Sequence, residues 1–375
     1  MLSVIIFIPL AAMLVILFLP KEKEELFKKI GIGTTGLQLL LSFYVWCSFD
    51  AATSTGVTES YAFAFVERIP WISVALNGFG ELSAHYYIGL DGLNITMILL
   101  SGIVMFVGAI ASWNITKRVK GYVLLYLLLS TAVFGCFVSL DLLLFYLFFE
   151  FMLLPLYFLI GIWGGKRREY ASMKFFLYTL FGSIFILLVI IGLYLSVADP
   201  VLTAINVGLV ETANQMTPAV LSQVQHLITS GEIEAHNVVH TFDMVLMTDV
   251  NNYLKEGLFS PFVESNILGY SARGIAFLAL LIGFGIRLPL VPFHTWLSDA
   301  HVQAPTAVSV VFAGILLKLG GYGLMRVGYT IFPGEGADFA WYVALLGVVS
   351  ILWGAYNALA QKDLKRLVAL SLIHI

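Results

Sequence analysis

Long apolar runs divided by short charged connections set the pattern of this chain. A helix needs about 20 predominantly apolar residues to cross the hydrocarbon core of a bilayer, since each residue advances it about 1.5 Å. By that measure helical spans are predicted near 2–19, 30–49, 89–112, 121–139, 141–162, 172–197, 271–291, 306–328 and 338–360, and a tenth begins at about 367. Two connections are long. Residues 50–88, which include ERIPWISVALN and the interfacial residue types Trp71, Tyr86 and Tyr87, are predicted to fold over the membrane surface. Residues 198–270 form an extramembrane insert, polar enough over 199–240 to leave the bilayer.

Composition agrees with that pattern. A chain of 375 residues that is 60% hydrophobic and 11% charged, with a mean hydropathy of +0.94, is a polytopic membrane protein and not a soluble domain. Its net charge of −3 gives no pull toward nucleic acid. The run Leu2–Leu19 lacks a basic leader and a small-residue cleavage site before KEKEE, so it reads as the first span rather than a signal peptide. Lys and Arg cluster in alternate connections, at Lys21, Lys23, Lys28 and Lys29, at Lys117, Arg118 and Lys120, at Lys166, Arg167 and Arg168, and at Lys362, Lys365 and Arg366. These 13 of the 20 basic residues fall on one side, which the positive-inside rule makes cytoplasmic. The N-terminus and both long connections are then external. Cys47 and Cys136 lie in apolar runs and read as buried, unpaired thiols.

Residues 277–328 break the apolar pattern. FLALLIGFGIRLPLVPFHTWLSDAHVQAPTAVSVVFAGILLKLGGYGLMRVG joins two apolar runs through Pro, His, Asp, Gln and Trp, with a broken helix predicted near 287–292. In lipid, irregular backbone is tolerated only where protein or a water-filled cavity satisfies it, and a buried ionisable group is costly. A segment built this way is expected to line an ion path. Lys318 sits about twelve positions into its span, near the middle, where snorkelling to the interface is the bland alternative. Glu150 is the lone charge between Asp141 and Lys166, five residues before Pro155, and is read as part of a proton path rather than as a structural hydrogen-bonding group. His294 and His301, seven apart with Asp299 between them, suit a water-linked relay or capping better than a metal site.

Other polar features read more plainly. Asp91 and Asp141 cap helices or meet water, and Lys174 is a cytoplasmic flank charge. The glycine pairs at 164–165 and 320–321 serve packing or turns, not a phosphate loop. His236 and His240 in the insert are spaced i,i+4, which would share a helix face. Without a third placed ligand they and His226 are read as solvated. The insert is alternatively a docking surface for a neighbouring subunit. No Cys cluster, nucleotide fingerprint or haem motif is present, so electron carriers are expected in other chains.

The stretch PFHTWLSDAHVQAPTAVSVVFAGILLKLGGYG resembles the signature of the M-type, antiporter-like subunit of respiratory NADH:quinone oxidoreductase, subunit 4 in mitochondria. DGLNITMILL at 91–100, the Glu150 helix, KFFLYTLFGS at 174–183 and QKDLKRLVA at 361–369 fit the same family, so the resemblance covers nearly all of the chain except 199–240. It implies an all-α, antiporter-like membrane fold in a single integral membrane domain, with N-terminal helices over 1–112, a proton-conducting unit over 121–328 and the start of a second unit over 338–375. It implies proton translocation coupled to NADH oxidation and quinone reduction elsewhere, with NADH, FMN, Fe–S clusters and quinone held by partner subunits. It also implies L-type and N-type neighbours and a cytoplasmic (inner) membrane location.

The resemblance places Glu150 on the family's essential glutamate, at the head of a chain running through Arg287 and Lys318 to His294 and His301. Arg287 stands where the family pattern GF-x-x-K-x-P has Lys. Lysine can lose its proton when desolvated and arginine effectively cannot, so Arg287 is expected to modulate Glu150 rather than relay a proton. A cation/proton antiporter or membrane-bound hydrogenase subunit, or a purely structural scaffold, are the alternatives. The closing LSLIHI departs from the family and matches what a transposon end used in sequencing libraries can encode. The chain is therefore expected to be C-terminally truncated, with several further spans in the natural protein and no function for His374.

Overall fold

A computed structural model describes residues 1–49, 63–76, 80–262, 266–267 and 270–373. His374 and residues 50–62 and 77–79 of the first long connection lie outside the described residues. The helices follow the apolar runs. The first four are α1 (Leu2–Phe18), α2 (Glu24–Ser48), α3 (Asn94–Ala111) and α4 (Val119–Val138). A broken pair, α5 (Leu142–Phe151) and α6 (Leu153–Trp163), precedes the long α7 (Arg168–Ser196). The insert carries α8 (Pro200–Val207) and α9 (Pro218–Ser230). Then come α10 (Ala272–Arg287), α11 (Thr295–Gln303), α12 (Thr306–Val311), α13 (Leu317–Gly323), α14 (Pro333–Asp338), α15 (Ala340–Leu359) and α16 (Leu364–Ser371).

Among the described residues seven helical stretches are long and apolar enough to cross a membrane, with α1 an eighth, shorter apolar helix of 17 residues. The difference from nine or ten lies mainly at α10, which was expected to run to 291 and stops after 16 residues at Arg287. Pro289 has no amide to give the Gly285 carbonyl, which accepts instead from the Leu290 amide at 2.8 Å. The α5–α6 break at Met152 has the same origin: Pro155 leaves the Phe151 carbonyl without its helical donor.

The two ends of the bundle differ as the alternation of basic connections predicts. At one end Lys28 donates to the Trp113 carbonyl (2.7 Å), Lys120 to those of Leu17 (3.0 Å) and Leu19 (2.8 Å), and Lys365 to that of Ala304 (3.3 Å). There the Gly165 amide meets the Gln303 carbonyl at 2.8 Å, and a side chain on either glycine of the 164–165 pair would collide with Gln303. At the other end the N-terminal ammonium pairs with Glu67 at 2.5 Å, and Ser3 bonds both Glu67 and Tyr86.

That second end carries a sheet the sequence reading did not foresee. Strand β1 (Ala64–Leu76) runs antiparallel to β2 (Gly80–Leu90), and β3 (Val239–Thr241) from the insert adds parallel to β2. The described parts of the two long connections are thus joined in one sheet. The insert adds a small core of its own, Ala198, Ala204, Val210, Val224, Ile228 and Val238. His240 is buried in β3 with its ring 5.1 Å from that of Tyr194, so it is neither solvated nor on a helix face with His236. His226 and His236 are exposed, the latter 3.3 Å from Glu234. Cys136 is buried as expected, whereas Cys47 is exposed at the end of α2; the two are not bonded.

Helix caps converge on this layer. Asp141 caps α5 by accepting from the Leu144 amide (2.9 Å) and also takes the His85 amide (3.1 Å), while Asp199 caps α8. Arg68 reaches Asp199 at 3.6 Å and Asp243 at 3.4 Å, and Asp141 and Asp243 face each other across a β-bridge. Burial pushes the carboxyls of Asp141 and Asp243 from the ordinary 3.8 up to about 6 each. A raised folded-state value means that the folded layer binds more protons than the unfolded chain between those two values. Its stability is therefore greatest below the ordinary value and falls as pH rises through about 6. The Leu142 and Met244 amides, which bond the Phe242 and Leu140 carbonyls, are expected to exchange with deuterium more slowly at about pH 5 than at about pH 7.5 after correction for intrinsic rates. Equal protection at both would show that these carboxyls do not change protonation over that range.

Candidate functional site

Two half-helices end at one ion pair. Glu150 occupies the last turn of α5, just before the Met152 break, and Arg287 is the final residue of α10. Arg287 Nη2 lies 3.7 Å from Glu150 Oε1, so the pair is coulombic rather than hydrogen-bonded. The guanidinium is 2% exposed against 21% for the carboxylate. It stacks on the Phe149 ring with its carbon 3.8 Å from the centroid, donates to the Phe149 carbonyl at 3.4 Å, and sits where the α10 dipole favours a cation. Ser183 of α7 lies near both Glu150 and Tyr146, one turn earlier, while its hydroxyl donates to the Leu180 carbonyl at 2.8 Å.

Lys318 stands in a helix of unusual pitch. Thr306–Tyr329 runs as α12, a π-helical turn over Phe312–Leu316, α13, and a second π-helical turn over Leu324–Tyr329. Such widened turns loosen the backbone ladder and recur at functional sites. Lys318 Nζ donates to the carbonyl of Ala313, five residues back, at 2.6 Å, and its side chain is half-buried. Among the described residues no carboxylate pairs with it, and no hydrogen bond or ion pair joins it to Glu150, Arg287 or either histidine. The tie to Arg287 is through packing: a Cβ on Gly320 would come within 2.8 Å of the Phe284 carbonyl oxygen and the Leu288 amide nitrogen. The lysine helix therefore lies directly on the broken end of α10.

The break itself is held from several sides. Trp296, fully buried in α11, donates to the Ile286 carbonyl at 2.9 Å and fixes α11 beneath the end of α10. His294 accepts from the Trp353 indole at 3.2 Å, whereas His301 is buried with Nδ1 unpartnered among the described residues. The two imidazoles do not bond each other. No group of three or more His, Cys, Asp or Glu among the described residues is placed to hold a metal ion.

Several charges read as local turn out to be long-range partners. Lys174, expected as a flank charge, pairs with Asp299 at 2.7 Å and joins α7 to α11. Asp91 accepts from the Leu93 and Asn94 amides, as a cap should, but also pairs at 2.6 Å with Arg326 of the second π-helical turn. Arg326 passed unremarked as a candidate although it is a charge in an apolar run, the same signal that marks Lys318. Arg273 bonds Glu335 at 2.7 Å and the Phe259 and Ile331 carbonyls at 3.1 Å each, tying α10 to α14.

A family model described as NADH:quinone oxidoreductase/Mrp antiporter, TM, matches residues 139–231 and 238–374. The chain is 35% identical over 377 residues to NADH-quinone oxidoreductase subunit M of Rickettsia prowazekii, across 99% of this chain and 62% of that protein. It is 34% identical over 367 residues to NAD(P)H-quinone oxidoreductase chain 4 1 of a Picosynechococcus species, across 97% and 55%. In fold it is similar over its whole length to 62% of a chain of respiratory complex I from Thermus thermophilus with bound NADH, with a TM-score of 0.68 at 24% identity. A chain of the membrane-bound sulfane sulfur reductase, an archaeal respiratory membrane complex, gives 0.66 at 18%, again over all of this chain and 62% of that one. The chain thus spans about three fifths of the length of these relatives.

Proposed function

The chain belongs to the NADH:quinone oxidoreductase/Mrp antiporter transmembrane family, and from that premise we propose that it is a proton-translocating membrane subunit of an NADH:quinone oxidoreductase. NADH oxidation and quinone reduction take place in partner subunits, which carry the FMN, Fe–S clusters and quinone site, and L-type and N-type subunits are its neighbours. The observation that carries the reading is the pair of buried Arg287 and half-buried Glu150 at the broken ends of two helices. A scaffold gains nothing from two interrupted spans meeting at a charge pair, whereas a proton path needs ionisable groups and backbone that can bind water. Glu150, Arg287, Lys318, His294 and His301 are its proposed members.

A second reading, a subunit of a multisubunit cation/proton antiporter or of a membrane-bound hydrogenase, has support from the family description, which includes the Mrp antiporter. The sequence identity to subunit M favours the first. The test is to neutralise Glu150 in the assembled complex and read redox activity and proton movement separately. Pumping is expected to be lost with NADH oxidation by an artificial acceptor retained, and undiminished pumping would leave the scaffold reading.

The orientation we propose puts the N-terminus and the sheet outside, because the clustered Lys and Arg residues mark the other end as cytoplasmic. Ser222 in α9 and Lys166 are both exposed at opposite ends. A cysteine at Ser222 is expected to react with an impermeant reagent in sealed cells and one at Lys166 to be protected. The reverse result would invert the topology.

A further inference from the structure

Helix α15 grips the break between α10 and α11 through two residues, Ser350 and Trp353, that are not members of the proposed path. Ser350, 4% exposed, accepts from the Val291 amide at 3.2 Å. Trp353, three residues on and so on the same side of the helix, donates its indole N–H to His294 Nε2 at 3.2 Å. The buried residues of α15 are Ser350, Gly354 and Ala358, with Val343 and Leu346 also packed against the core, while Trp353 is half-exposed and meets the break through its indole N–H.

The second contact decides the chemistry of the imidazole. A neutral histidine whose Nε2 accepts carries its proton on Nδ1, and His294 Nδ1 is buried without a partner among the described residues. A proton arriving at Nε2 occupies the lone pair that the indole uses, leaving two N–H groups facing each other. We propose that Trp353 is a positioning residue for His294: it holds the imidazole neutral with Nδ1–H turned inward, and proton uptake at Nε2 breaks the contact and frees α15 from the break. The proposal rests on the proton-translocating reading above. Charge on His294 and the seating of α15 are then one equilibrium, each biasing the other. The titratable groups around the imidazole are Lys174 of α7, already paired with Asp299 of α11, and Tyr178, which meets the hydroxyl of the neighbouring Thr295 at 3.3 Å; Lys365 of α16, held at the Ala304 carbonyl, acts on His301 instead.

The test compares Trp353→Phe, which keeps a ring and removes the donor, with Trp353→Tyr, which keeps a donor, and Ser350→Ala, which loosens the same helix without touching the imidazole. In vesicles of the assembled complex, Trp353→Phe is expected to move the pH profile of pumping upward by about one unit, the scale of one hydrogen bond to the neutral form. Trp353→Tyr should move it less, and Ser350→Ala, which reaches the imidazole only through the seating of α15, should lower the rate and move the profile by less than Trp353→Phe does. An unmoved profile in the Phe variant, or an equal shift in Ser350→Ala, overturns the assignment. The unaltered complex gives a second reading that needs no variant to assemble. Its tryptophan fluorescence is expected to change in a single-proton step over the range where pumping titrates, and a flat signal overturns the coupling. If the complex does not pump at all, the functional reading fails and the fluorescence step alone decides the Trp353 contact.

Discussion

Replacing Lys318 by alanine is expected to reduce proton translocation to background while the assembled complex still oxidises NADH with an artificial acceptor. Lys318→Arg is expected to be nearly as damaging despite keeping the charge. The reason lies in where the amine sits. It is near the middle of a span, between two π-helical turns, with the Ala313 carbonyl as its protein partner and no carboxylate paired with it among the described residues. An ammonium has three donors to satisfy, and one carbonyl leaves the rest to water. An amine so placed can hold a proton or release it, whereas a guanidinium effectively cannot release one. Gly320 transmits the consequence, since it rests on the backbone where α10 ends at Arg287. A change of charge at Lys318 therefore bears on the very turn that positions the Glu150 pair. Normal pumping by the arginine variant in sealed vesicles would make Lys318 a fixed charge and remove it from the path.

The membrane part of this architecture was legible because lipid enforces it: each apolar run had to be a helix, and each charge cluster had to leave the bilayer. The break after Arg287 was equally legible, since Pro289 and Pro292 interrupt a run that contains a charge. The extramembrane layer was not. Residues 64–90 hold the β-formers and the Asn77–Gly78 pair that mark a hairpin, but the strand partner β3 comes from 149 or more residues later, and no local periodicity announces such a pairing. The same distance hid Lys174–Asp299, 125 residues apart, and Arg326–Asp91, 235 apart. Asp91 looked like a cap and is one; its second oxygen was simply spare for a partner that local reasoning could not supply. His240 misled for a related reason: i,i+4 spacing brings two side chains close enough to share a ligand only in a helix, and the segment is a turn followed by a strand.

Glu150→Gln is expected to abolish or strongly reduce pumping, and Arg287→Lys to preserve or improve it. Removing one member of a buried pair leaves the other uncompensated, at a cost of typically about 3–5 kcal/mol. Here the residue left behind by Glu150→Gln is the more buried of the two, the guanidinium held between Phe149 and the end of α10. Some loss of assembled complex is therefore expected alongside the loss of pumping, and the amount of complex must be measured with the rate. The lysine exchange is different in kind. It gives up the stacking on Phe149 and the bond to its carbonyl, so the site loses packing, but it keeps a cation beside Glu150 and restores an amine that can be neutral. If the position works by fixed charge alone, the lysine variant pumps no better than the parent and is less stable. If the position serves a titratable amine, the rate per assembled complex holds or rises while thermal stability falls. Loss of all activity in the lysine variant, with the complex intact, would sink the titratable role and leave Arg287 as a permanent counter-charge that keeps Glu150 ionised.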